Sequence, residues 1–128
     1  MQNYIDKGKL KEEFKERIYK YIIRLVKFLN GLPKDNVIRE IINQLMRSGT
    51  SIGANYFEAQ SASSKKDYQN YFSHSLKSAN ESKFWLTIMF ESGLIPKNLI
   101  SESNWLLQET KELANIFASN ILTMKGRK

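Results

Sequence analysis

Cysteine is absent from the 128 residues. No disulfide, cysteine-based zinc site, iron–sulfur cluster or thiol nucleophile can therefore be built. Histidine occurs once, as His74. A Ser-His-Asp triad would have to run through it, and a multi-histidine metal site is impossible. Di-metal helical bundles pair a histidine with a glutamate three residues earlier, and Tyr71 stands there instead. Glycine and proline number only 6 and 2, which excludes collagen-like and low-complexity chains. No uninterrupted apolar run approaches the roughly 18 residues of a membrane span. Residues 1–15 are charged throughout and lack an apolar stretch, so no secretory signal is expected there. No glycine-rich phosphate loop occurs. These absences predict a cytoplasmic protein with no enzymatic activity, cofactor or metal, and no membrane association.

Acid is scarce relative to base: 13 acidic residues against 20 basic ones give a net charge of +7. A small domain this basic commonly meets phosphate, of nucleic acid before membrane. The hydrophobic fraction of 41% suffices for a core, and the length is that of one domain spanning 1–128.

Apolar residues recur at spacings of three and four in four segments. The first carries Phe14, Ile18, Tyr21, Ile22, Leu25, Phe28 and Leu29 and is stopped by Gly31 and Pro33. The second begins behind Asp35, an N-cap, and carries Ile38, Ile41, Ile42, Leu45, Ile52 and Tyr56. After the polar stretch 60–64, Ser64 and Asp67 form a capping-box-like pair. The third stripe is Tyr68, Phe72, Ser75, Ala79, Ser82, Leu86 and Phe90, ended by Gly93 and Pro96. The fourth carries Leu99, Leu106, Leu113, Phe117, Ile121 and Met124, followed by a basic tail at 125–128 that is expected to fray. No alternating strand pattern competes. The pattern predicts an all-α, antiparallel up-and-down four-helix bundle with helices at about 8–30, 36–59, 65–92 and 98–124.

Three constellations stand out. Arg17, Lys20, Arg24 and Lys27 follow one another at spacings of three, four and three, and the first helix has no acid after Glu16. They form one ridge that can track phosphates or serve as an ordinary solvent face. Phe84, Trp85 and Ile88 lie off the third helix's core stripe, on a segment that is apolar nearly all round. Such a segment needs cover on a second side, from a partner subunit or from the fourth helix through Trp105 and Leu107. Gly49 and Gly53, four apart, permit close approach at a cost of about 1 kcal/mol each. Ser51, Asn55 and Glu58 share a face beside them and, with Glu81, are expected to form a structural polar network between helices or subunits.

Two stretches carry a family resemblance. Ser51-Ile52-Gly53-Ala54-Asn55-Tyr56-Phe57-Glu58 resembles a Ser-Ile-Pro-x-Asn-x-x-Glu pattern, with Gly53 where proline is common. Lys66-Asp67-Tyr68 and the run Ser75-Leu76-Lys77-Ser78-Ala79-Asn80-Glu81-Ser82-Lys83-Phe84-Trp85-Leu86 resemble the third helix of the same family, with Ser78 in place of a frequent glutamate. The chain thus resembles, over about 14–124, the bacterial four-helix-bundle proteins of large-subunit rRNA intervening sequences. It is more distantly similar to the accessory variability proteins of diversity-generating retroelements. The resemblance implies a homo-oligomer, a ring of five, that binds RNA or DNA and can partner a reverse transcriptase. A protein-interaction scaffold with no nucleic-acid role is the alternative.

Overall fold

The computed structural model describes residues 7–126. Helix α1 runs Lys7–Asn30, α2 Asn36–Ala59, α3 Lys65–Glu91 and α4 Ile100–Met124, with a single 3-10 turn, Lys97–Leu99, before α4. The expected fourth helix thus begins as a tighter turn behind Pro96. Of the basic tail, residues 127 and 128 lie outside the described part, as do 1–6 at the other end. Each helix packs on its sequence neighbours, and α4 closes back on α1. Short connections between such neighbours make the bundle up-and-down and antiparallel, as expected.

The helix ends follow local chemistry. Asp35 accepts the Ile38 amide at 3.2 Å, and the Ser64 hydroxyl accepts the Asp67 amide at 3.0 Å. The second half of the expected capping box is different: Asp67 accepts the Ser63 hydroxyl at 2.8 Å. Gly93 ends α3 at φ +69°, and Leu94 N–H reaches back to the Met89 carbonyl at 3.2 Å. This is the left-handed stop that favours glycine. At the end of α1, the Lys34 ammonium donates to the carbonyls of Leu29, Asn30 and Leu32. A cation there satisfies orphan carbonyls and opposes the negative end of the helix dipole.

Side-chain size sets the spacing of the helices. Helix α3 makes the closest backbone approach to α2 and α4. Its buried face there is small, with Ser75, Ala79 and Ser82, and Ser48 of α2 and Ser103, Thr110 and Ala114 of α4 are buried too. Helix α1 stands further off because it inserts Ile18, Tyr21, Leu25 and Phe28. The two glycines serve this insertion. A Cβ at Gly49 would overlap Leu25 Cδ2, and one at Gly53 would overlap Ile22 Cδ1. The close approach expected at these positions is therefore one of α1 methyl groups onto the α2 backbone.

One apolar cluster joins all four helices. At the end holding the α1 N-terminus, Phe14 meets Tyr56 edge-on at 5.2 Å, and Phe72 meets Phe117 edge-on at 5.5 Å. Such geometry sets the positive ring edge on the negative face. Buried polar atoms are matched across helices. Ser75 donates to the Ile52 carbonyl and Ser82 to the Ser48 hydroxyl, both at 2.9 Å. Thr110 gives its only hydroxyl proton to the Leu106 carbonyl at 2.6 Å, so Tyr21 must donate to Thr110 Oγ1, also at 2.6 Å. Burial pushes the Tyr21 phenol up to about 12.

Candidate functional site

The α1 cations do share a face, and that face meets α4. Arg17 grips Glu109 with Nε and Nη2 at 2.7 and 2.9 Å and reaches Glu112 at 2.8 Å. Arg24 grips Glu102 at 2.8 and 2.6 Å, and its guanidinium lies 3.4 Å from the centre of the Trp105 ring. Glu102, Trp105, Glu109 and Glu112 repeat the three-four-three spacing of Arg17, Lys20, Arg24 and Lys27. Two matching ridges on antiparallel helices thus pair in opposite order. Arginine suits this use, because its planar fork binds a carboxylate in two places and stacks on an indole. Both guanidinium groups are held more firmly in the charged form by these carboxylates. Arg24 in turn holds the Glu102 carboxyl below its ordinary range.

The expected four-cation ridge is therefore divided. Arg17 and Arg24 are engaged within the chain and half-buried. Lys20 and Lys27 are exposed and form no ion pair among the described residues, with Lys20 6.0 Å from the Trp105 ring centre. Of the two α4 residues offered as cover for α3 within the chain, Trp105 faces α1 instead, while Leu107 is half-buried against the core.

On α3, Leu86 is buried as the stripe predicts, and Met89 is buried with it. Phe90 departs from the stripe, at 43% exposed, because the buried positions Ser75, Ala79, Ser82, Leu86 and Met89 alternate steps of four and three, and Phe90 lies one residue beyond that face. Phe84 is 54% exposed and meets Trp85 edge-on at 4.9 Å, while Trp85 and Ile88 are half-buried. Phe84 and Ile88 line a shallow surface depression on the α3/α4 side together with Lys83 and Lys111.

A second apolar surface went unmarked in the sequence reading. On the α1/α2 side, Tyr19, Ile23 and Val26 form an exposed apolar stripe of α1, with Tyr19 49% and Ile23 53% exposed, and Val26 shares a groove with Met46. Tyr19 lies against Phe57 at 4.9 Å. A groove of about 390 Å³ between Val26, Leu29, Ile42 and Met46 has Lys27 and Lys34 at its rim. The signal was present, since Tyr19, Ile23 and Val26 follow the spacing of a second stripe on α1.

Among the described residues of the single chain, Ser51, Asn55, Glu58 and Glu81 are not joined to one another by side-chain hydrogen bonds. Asn55 donates only to the Ser51 backbone carbonyl, at 2.9 Å. Glu81 accepts the Trp85 indole N–H at 3.2 Å, and Glu58 is exposed without a side-chain hydrogen bond. Helical geometry explains the difference: the serines that point inward, Ser48, Ser75 and Ser82, make the interhelical bonds. Ser51, Asn55 and Glu81 instead line a groove of about 470 Å³ between α2 and α3, with Tyr71, His74 and Lys77.

Among the described residues no cluster of three or more histidine or carboxylate side chains could hold a metal ion. Nor is any described helix long and apolar enough to cross a membrane.

Comparison with known proteins matches residues 9–119 to the family described as 23S rRNA-intervening sequence protein. No curated protein matches the chain. The chain is similar to a crystal structure from Bacteroides thetaiotaomicron of a protein with unknown function from the S23 ribosomal protein family. The identity is 32%, the match covers 84% of this chain and 96% of that one, and the TM-score is 0.72.

Proposed function

The chain belongs to the 23S rRNA-intervening sequence protein family, and from that footing we propose a non-enzymatic accessory protein that binds RNA or DNA phosphates as a homo-oligomer. The observation that carries this reading is the split ridge. With Arg17 and Arg24 tied to α4, Lys20 and Lys27 are left exposed on a chain of net charge +7. Two free ammonium groups about ten ångströms apart along a helix can bridge successive phosphates. They position a backbone and read no base. In the retroelement-like form of this role, the protein partner would be a reverse transcriptase.

Assembly as a ring follows a geometric requirement. A closed ring of more than two copies needs two different, complementary faces on each subunit. Phe84, Trp85 and Ile88 are proposed as one face, and Tyr19, Ile23, Val26 and Met46, across the bundle, as the other. Repetition of two lysines around a ring of five would multiply a weak contact by avidity. The lysine-rimmed groove beside Met46 also suits a protein partner, which would leave a scaffold with no nucleic-acid role.

The test is binding of a labelled structured RNA and a DNA duplex across a salt series, for wild type and for Lys20→Glu with Lys27→Glu. Arg24 is left intact, since a glutamate there would repel Glu102 and loosen α1. Wild type is expected to bind with a steep salt slope, and the folded variant to lose about two phosphate contacts per subunit, each worth about 0.9 in the slope on duplex DNA. Failure of wild type to bind at low salt refutes the reading.

A further inference from the structure

The groove between α2 and α3 has features that the phosphate reading does not use. Its polar side chains come from two helices and leave their reactive atoms free. Asn55 spends its amide nitrogen on the Ser51 carbonyl, so Oδ1 is left as an acceptor. Glu81 is anchored through Oε2 by the Trp85 indole, so Oε1 is left as an acceptor as well. Lys77 is four residues from Glu81 on the same helix, yet the two form no ion pair. Tyr71 and His74, one turn apart on α3, have no side-chain hydrogen bond among the described residues. The contrast is with the α1/α4 side, where every acid of the ridge meets an arginine.

We infer that this groove binds one nucleotide of single-stranded RNA and selects ribose over deoxyribose. Resting on the nucleic-acid reading above, the inference adds which nucleic acid is preferred. The chemistry follows from the groups present. The rings of Tyr71 and His74 offer flat faces on which a base can stack. Lys77 supplies a charge for the adjoining phosphate. Asn55 Oδ1 accepts from an exocyclic amine on the base edge. Glu81 Oε1 accepts a hydrogen bond from the 2′-hydroxyl, the donor that deoxyribose lacks. A fixed carboxylate on a ribose hydroxyl is the same device that dinucleotide-binding folds use. The volume of about 470 Å³ accommodates a single nucleotide.

The experiment measures fluorescence anisotropy of a labelled single-stranded oligoribonucleotide and of the oligodeoxyribonucleotide of the same sequence. The proteins are wild type, Glu81→Ala and His74→Ala, each checked for folding by thermal denaturation and for assembly by light scattering. Both side chains are exposed, so the variants keep the core intact. Wild type is expected to bind the RNA about ten-fold or more tightly than the DNA, as loss of one charge-assisted hydrogen bond requires. Glu81→Ala should bring that ratio close to one. Removing a negative charge strengthens both complexes alike, so the ratio isolates the hydroxyl contact. His74→Ala should weaken RNA binding several-fold through lost stacking. Equal affinity of wild type for RNA and DNA overturns the inference and leaves phosphate binding standing. A ratio unmoved in the folded Glu81→Ala protein overturns it too, as does a changed assembly state with an unchanged ratio, which would make the groove a subunit contact. Absence of binding to either strand refutes the phosphate reading and this inference together.

Discussion

Replacing Gly49 by alanine sets two known effects against each other. In a helix interior alanine is favoured over glycine by about 1 kcal/mol. At this position the added methyl would overlap Leu25 Cδ2, and Leu25 is fully buried, so its side chain has no solvent to swing into. Overpacking of this kind costs about 1–3 kcal/mol. The net expectation is a loss of about 0–2 kcal/mol, which alone is a weak test. The double-mutant cycle is sharper. Leu25→Ala opens a cavity and costs about 2–5 kcal/mol on its own. In the double variant the clash is gone and the new methyl partly fills the hole, so the pair should be more stable than the sum of the single effects by about 1–3 kcal/mol. Urea denaturation followed by helical circular dichroism, at one fixed protein concentration, measures all four proteins. Additivity within about 0.5 kcal/mol would refute the claim that α1 seats its methyls on the α2 glycines. So would a Gly49→Ala protein stabilised by the full helix-propensity gain.

Three further outcomes are expected. Tyr21→Phe should cost about 0.5–1.5 kcal/mol at neutral pH through loss of the hydrogen bond to Thr110. Because the folded phenol is raised to about 12, ionisation favours the unfolded chain; wild-type stability should fall above about pH 10 by up to about 1.4 kcal/mol per unit, a component that the phenylalanine variant lacks. Arg24→Met keeps an apolar stem on Trp105 but frees Glu102. It should lower stability slightly at neutral pH, as loss of a solvent-screened ion pair does. The lowered carboxyl contributes only while it is ionised, so the difference from wild type should shrink as pH falls through the folded value of Glu102 to the part owed to the guanidinium on Trp105, and a difference that does not change with pH would contradict the ion-pair account. Phe84→Asp and Ile23→Asp should each abolish assembly, and an equimolar mixture should recover heterodimers by light scattering, since each variant keeps the face the other lost. A mixture that stays monomeric, or single variants that still assemble, would rule out the two-face ring.

The fold was legible because its information is local. Apolar spacing defined four helical faces, and Asp35, Ser64 and Gly93 marked ends that the chain forms through its own nearby atoms. Phe90 misled, because a second step of four from Leu86 leaves the helix face that Met89, three residues on, continues. The candidate sites were less legible. Arg17, Lys20, Arg24 and Lys27 looked like one uniform ridge because the carboxylates that take up Arg17 and Arg24 lie about eighty to ninety-five residues away on α4. The matching spacing of Glu102, Trp105, Glu109 and Glu112 held the clue, but only the knowledge that α1 and α4 are neighbours makes it one. Ser51, Asn55, Glu58 and Glu81 suggest a structural polar network because polar residues beside glycines point to a seam between helices or subunits. The glycines turned out to face α1, which rotates their polar neighbours toward the α2/α3 surface.

The sequence by itself determined four amphipathic helices, their ends, most of the core, the surplus of positive charge and the family. The family follows from the resemblance of two motif stretches; the rest follows from periodicity, capping and composition, which involve residues within a turn or two of one another. Only the tertiary structure decided which cations are free, which apolar faces are left uncovered and where the polar side chains open to solvent. Each of these depends on which helix face meets which. That choice is made by the fit of Leu25 against Gly49, of Tyr21 against Thr110 and of Arg24 against Trp105, contacts between residues far apart along the chain.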